Sequence, residues 1–225
     1  MSASNLQRAT ILLTGFGPFP GVPLNATMDL VPQIAALSAR AFPDVHVASG
    51  ILPTDWRAAP ERLEALLAAH RPALALHFGV SSRARGFEVE QRARNVCGGT
   101  PDAGGAAPAA NVVLAEAPDE LRATIPVQHI VGRLRRRGIP AFVSRDAGLY
   151  LCNATLYTSL TLARDVPGRR TGFIHVPTSL ALALGATPHL ARSSRLTWEQ
   201  AVAGGLEILA ACLGRAATAA GPMSA

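Results

Sequence analysis

Residues 73–78 read Ala-Leu-Ala-Leu-His-Phe, an almost unbroken apolar run closed by Pro72 on one side and Gly79 on the other. A run of strand length without polar alternation suits a strand buried on both faces, as in a parallel sheet covered by helices on each side. The chain around it alternates as such a sheet requires. Strand-like runs at 10–14, 45–52, 139–144 and 171–176 are separated by helical stretches at 27–40, 126–137 and 151–162 and by one ending at 70. Thr54-Asp55 can cap the helix that ends at His70, with Pro60 a weak spot inside it. Pro126 is a good first helical residue, and Gly138 closes that helix. Thr197-Trp-Glu-Gln200 is a capping box for a last helix to Leu213. Residues 88–96 could be extended, and 98–105 form a long, Gly-rich, flexible connection of the kind that often carries function. The expectation is a single domain over 1–225, with 1–8 and 215–225 flexible, folded as a three-layer α/β/α sandwich around a mostly parallel mixed sheet.

Composition narrows the function classes. Apolar residues make up 49% of the chain and charged ones 16%, enough to bury a core. No apolar stretch reaches about 18 residues, so no membrane span is expected. The first residues lack an apolar signal core, which reads as cytoplasmic. The net charge is +6, and every basic residue is an arginine. These arginines are scattered. The one cluster, Arg135-Arg136-Arg137, ends a helix, where cations favour the negative pole, and no aromatic residue interleaves with it, so no nucleic-acid partner is expected. Cys97, Cys152 and Cys212 are far apart and form no C-x-x-C, which supports neither a disulfide framework nor a zinc site.

In open α/β sheets, ligands bind beyond the carboxyl ends of the strands, so the loops there are where chemistry belongs. Cys152 follows a strand through a short turn and lies near a helix N-terminus, which favours a thiolate. The same position suits a packed apolar cysteine. His175, near the end of its strand, could be a general base for Cys152 if the two strand ends are neighbours, or a satisfied structural histidine. Glu88 and Glu90 share one face of an extended segment, where a carboxylate could orient the imidazole, or where Arg92 and Arg94 could simply solvate the strand. The loop Gly15-Phe-Gly-Pro-Phe-Pro-Gly21 is neither a dinucleotide fingerprint nor a P-loop. It holds two of only seven phenylalanines, Phe16 and Phe19, which could wall a flat apolar slot or plug the sheet edge.

Four segments, taken in order, resemble the pyroglutamyl peptidase I (pyrrolidone-carboxylate peptidase) family. Thr14-Gly-Phe-Gly-Pro-Phe-Pro-Gly-Val-Pro-Leu-Asn25 is similar to the family's T-G-F-x-P-F-x-G-x-x-x-N opening. His77-Phe-Gly-Val-Ser81 with Glu90 and Asn95 resembles the block carrying the catalytic glutamate. Ser144-Arg-Asp-Ala-Gly-Leu-Tyr-Leu-Cys-Asn153 resembles S-x-x-A-G-x-x-x-C-N around the nucleophile. Gly172-Phe-Ile-His-Val-Pro177 resembles the F-I-H-V-P block with the catalytic histidine.

The resemblance implies a cysteine peptidase that removes N-terminal pyroglutamate from peptides. Its catalytic residues would be Cys152, His175 and Glu90, working through a thioester and needing no metal or cofactor. Phe16 and Phe19 would sandwich the lactam ring, Asn25 would support their loop, Val80 would offer backbone groups and Tyr150 would line the pocket. A homo-oligomer, tetramer or dimer, is also implied. The chain departs from the family at Gln91, Pro20, Ala26, the 81–86 stretch and the Gly-rich 98–105 loop. These departures leave room for a hydrolase of another small acyl amide, or for a non-catalytic relative.

Overall fold

The computed structural model describes residues 8–185 and 196–216. Its elements follow the expected alternation: β1 (Ala9–Phe16), α1 (Thr27–Ala41), β2 (Val45–Leu52), α2 (Ala58–His70), β3 (Leu74–Ser81), β4 (Phe87–Glu90), β5 (Arg92–Arg94), β6 (Glu120–Arg122), α3 (Val127–Arg136), β7 (Ala141–Ser144), α4 (Leu151–Arg164), β8 (Arg170–Pro177) and α5 (Trp198–Cys212). A 3-10 turn spans Thr178–Leu184. Six strands form one sheet in the order β2-β1-β3-β8-β4-β7, and β5 and β6 make a separate antiparallel ribbon. All neighbours in the large sheet are parallel except β8 and β4.

Side chains leave a strand alternately to its two faces, and the core divides accordingly. Ile11, Leu13, Leu74, Leu76, Ile174 and Val176 pack with residues of α1, α3 and α5, while Leu12, Ala75 and Phe173 pack with residues of α2 and α4. Central β3 is therefore buried on both faces, as its apolar run predicts. Each buried leucine or isoleucine contributes about 1.5–3 kcal/mol, so the two apolar faces hold the register firmly. A one-residue slip of β8 would send Phe173 and His175 to the wrong layer. As placed, His175, Glu88 and Glu90 alternate with core residues and share the face that carries α4.

Local signals explain the joints. Asp55 Oδ1 accepts from the N–H groups of Arg57 and Ala58 at 2.8 and 2.6 Å, holding the first turn of α2. Pro60 falls within that turn, where its missing N–H has no intrahelical carbonyl to lose, so it is not the weak spot the sequence suggests. Thr197 and Gln200 form the predicted reciprocal capping box on α5. Gly138 takes φ +70 directly after α3.

The 98–105 connection is not the loose segment its glycines suggest. The buried Asp102 carboxylate organises it, accepting from Gly104 N–H, Ala106 N–H and Trp56 N–H at 2.9–3.0 Å. Of the tails expected to be flexible, 1–7 and 217–225 lie outside the described residues. Arg215 is held by both terminal nitrogens to Asp44 at 2.6 Å. No helix among the described residues is long and apolar enough to cross a membrane.

Candidate active site

Four elements bring the polar side chains together. β8 carries His175 and β4 carries Glu90, and His175 Nδ1–H donates to Glu90 Oε1 at 2.8 Å. Glu90 is fully buried, and among the described residues its second oxygen has no hydrogen-bond partner. The Cys152 side chain, from the first turn of α4, lies at the same cavity wall as His175 and acts on its charge. β3 supplies Gly79, paired in register with His175, and a Cβ on Gly79 would lie 3.0 Å from Cys152 Sγ and 2.8 Å from the Phe173 ring. Glycine is needed there because the Phe173 ring and the sulfur together occupy the space a methyl group would take.

The electrostatics follow from this packing. Burial works against a charged His175, but the Cys152 sulfur, through its charge and hydrogen bond, and then Glu90 outweigh it and raise His175 from 6.5 to about 10. A second histidine shows the contrast. His77 lies fully buried between Thr14 Oγ1 and Ser159 Oγ, at 2.8 and 2.9 Å from its ring nitrogens. It has hydroxyl partners and no anion, so burial alone acts and drives it down to about 3. His77 is a neutral structural pin and His175 is a poised cation.

The aromatic slot is built by turn chemistry. Phe19 and Val22 exchange backbone hydrogen bonds around Pro20-Gly21, with Gly21 at φ +83, as a turn with proline second and a left-handed residue third requires. Pro20 thus fixes where Phe19 stands. Asn25 ties the loop to α1: its Nδ2 donates to Gly17 O at 3.0 Å, and its Oδ1 accepts from Thr27 N–H and Oγ1–H. A cavity of about 270 Å³ results, lined by Phe16, Phe19, Val80, Tyr150, Cys152 and His175 among others. Tyr150 packs against Phe19 at 6.1 Å between ring centres and edge-on against Trp56 at 5.2 Å. Every residue expected at the site lines this cavity or touches a residue that does.

Two details differ from the sequence reading. The strand ends carrying Cys152 and His175 are not neighbours. β4 lies between β7 and β8, and because β4 runs antiparallel to β8, β7 does too. Cys152 does follow β7 through residues 145–150 into the first turn of α4, as the sequence suggests. Asn153 pins that helix start: its side chain accepts from Arg94 N–H and donates to Arg94 O and Val96 O at 2.8–3.0 Å, tying α4 to the segment after Glu90. Gln91 does not face the cavity; it accepts from Arg145 Nε at 3.2 Å. Sequence reasoning also gave no role to Arg83 and Asp146 at the cavity wall or to the Thr14–His77–Ser159 chain, whose members meet only in the fold.

Among the described residues, one group of three potential metal donors comes within 4.8 Å of one another: Glu88, Glu90 and His175. Its histidine Nδ1 is already bound to Glu90, so the group reads as an acid–base pair with a neighbouring carboxylate.

Known proteins resemble this chain in sequence and in fold. Residues 9–210 match the family model described as pyroglutamyl peptidase. The chain is 34% identical over 188 residues to a pyrrolidone-carboxylate peptidase of Clavibacter michiganensis subsp. michiganensis, covering 83% of this chain and 87% of that one. It is 37% identical over 169 residues to the pyrrolidone-carboxylate peptidase of Chromobacterium violaceum, covering 75% and 77%. In fold it is similar to a variant of the pyrrolidone carboxyl peptidase of Pyrococcus furiosus, with a TM-score of 0.81 at 28% identity over 91% of this chain and 98% of that one. The corresponding structure from Thermococcus litoralis gives 0.79 at 27% identity, covering 92% and 94%.

Proposed function

The chain belongs to the pyroglutamyl peptidase family and is a pyroglutamyl-peptidase I type peptidase, and from that premise we propose that it releases N-terminal pyroglutamate through a Cys152–His175–Glu90 triad and a thioester intermediate. One observation carries the reading: a buried imidazole bonded to Glu90 shares the wall of an aromatic-lined cavity with the Cys152 sulfur.

The chemistry follows from these parts. Pyroglutamate has its nitrogen locked in a lactam and carries no ammonium. A slot walled by Phe16 and Phe19 accepts the ring, whereas an ordinary N-terminus would have to bury an unpaired charge. His175 takes the Cys152 proton, and Glu90 holds the imidazolium that forms. The thiolate attacks the pyroglutamyl carbonyl. The first-turn N–H groups of α4, which have no carbonyl partner within the helix, are suited to the oxyanion, a contribution of ~2.7–4 kcal/mol per donor. His175 then returns its proton to the leaving nitrogen, and water hydrolyses the thioester. Val80 and Tyr150 complete the wall, and Asn25 keeps Phe16 and Phe19 in place. No step calls on a metal or cofactor. The proposed compartment is the cytoplasm, supported by three unpaired cysteines.

Peptides that begin with pyroglutamate should lose that residue on incubation with the protein, as read by mass spectrometry. The same peptides beginning with glutamine should stay intact. Equal trimming of both sets would contradict the proposed recognition.

A further inference from the structure

Glu88 is a carboxylate at the cavity wall that the mechanism above leaves unused. It lies directly across from His175 in the β4–β8 register, and its carboxyl comes within 4.8 Å of the donor atoms of His175 and Glu90. Unlike Glu90, it is half-buried and lines the cavity. The sheet order puts the site in a line. Phe16 ends β1, the Gly79 beneath the sulfur belongs to β3, His175 to β8 and Glu88 to β4, each strand next to the last. Neighbouring strands are about 4.8 Å apart. A pyroglutamyl ring at the Phe16 end, with its carbonyl at Cys152, must therefore present its leaving nitrogen toward His175, and the next polar group beyond is Glu88.

We propose that Glu88 receives the leaving amine, accepting a hydrogen bond from the scissile N–H while His175 protonates that nitrogen. The inference rests on the proposed peptidase reading. In the step itself the C–N bond breaks, the Nε2 proton of His175 moves to nitrogen, and the amine departs neutral with Glu88 still bound to one of its hydrogens. The charged and titratable groups facing Glu88 are His175, Glu90 and Arg83. Burial, with the Glu90 charge, holds Glu88 above the usual carboxylate range; the charges of His175 and Arg83 act against that rise, so a protonated His175 favours the carboxylate form.

Leaving-group dependence tests this. Alkylamines leave poorly unless protonated and held, whereas an aminocoumarin needs less help. Steady-state kcat/KM is measured for wild type, Glu88→Gln and Glu88→Ala on pyroglutamyl-aminocoumarin and on pyroglutamyl-alanine amide. The ratio of coumarin to alanine-amide rates should rise about ten-fold or more in both variants, as loss of a hydrogen bond to a charged group implies. Alkylation of Cys152 by iodoacetamide reports whether the sulfur–imidazole pair is intact in each variant. An unchanged ratio, whether both rates fall together or neither falls, overturns the role of Glu88 and leaves the peptidase reading standing. A wild-type protein that turns over neither substrate overturns the peptidase reading itself, and this inference with it.

Discussion

His175 bonds Glu90 at 2.8 Å although the sheet register places Glu88, not Glu90, directly opposite it. The bond is a diagonal one across an antiparallel pair, reaching two residues along the same face. The glutamate farther from the register position is fully buried, and the nearer one faces the cavity. Two carboxylates two residues apart thus have different surroundings, and the buried one is placed to act on the imidazole.

Replacing Glu90 with glutamine keeps the shape and removes the charge. Glu90 raises His175 toward about 10, so the variant's His175 titrates lower. The protonated imidazole is the form that delivers a proton to the leaving amine, and it is lost as pH rises through the folded value. The alkaline limb of kcat/KM should therefore lie near pH 10 in wild type and move to lower pH in Glu90→Gln, with a fall of about 100-fold or more at neutral pH. A limb that stays where it was would show that Glu90 does not set the state of His175.

The same shift makes a stability prediction. A histidine raised from 6.5 to about 10 on folding contributes stability that is full below 6.5 and lost as pH climbs through 10. The Cys152 sulfur is the largest influence raising it. Thermal midpoints measured from pH 6.5 to 10 should fall more steeply in wild type than in Cys152→Ala. Parallel curves would detach His175 from the sulfur.

Gly79→Ala would place a methyl 2.8 Å from the Phe173 ring and 3.0 Å from Cys152 Sγ. Overpacking of this kind costs about 1–3 kcal/mol. Denaturant melts should show that loss, and kcat should fall because the sulfur must give way together with the Phe173 ring. Unaltered kcat would mean the sulfur does not need its place over β3.

Much of this was legible in the sequence because burial leaves patterns. The apolar run before Gly79 becomes a strand buried on both faces, and the Thr197–Gln200 pair becomes the capping box it spells. What was not legible depends on partners distant in the chain. Nothing in Phe87-Glu-Val-Glu90 says that this short strand runs against its neighbour, yet that reversal decides how Cys152 arrives. The residues alone left Glu88 and Glu90 open and the family resemblance pointed to Glu90; the physical ground for that choice is their register against a strand 85 residues away. Asp102 looked like one residue of a flexible loop because the donor that ties it to the rest of the fold, Trp56 N–H, lies 46 residues away, although Gly104 and Ala106 donate locally.

Asn25→Ala should act on binding more than on chemistry. It removes the Nδ2 donor to Gly17 O, leaving that carbonyl to Thr54 Oγ1, and frees Thr27 from its Asn25 partner. A buried hydrogen-bonding group left unsatisfied costs about 1–3 kcal/mol, so KM for a pyroglutamyl substrate should rise roughly 5- to 100-fold while kcat changes less. A drop confined to kcat would place Asn25 in the chemical step instead.

Release of aminocoumarin from pyroglutamyl-aminocoumarin by wild type and by Cys152→Ala tests the central claim most directly. The account predicts steady fluorescence growth with wild type and none above the buffer rate with the alanine protein. Comparable turnover by Cys152→Ala would contradict it, because the sulfur beside His175 would then not be the nucleophile.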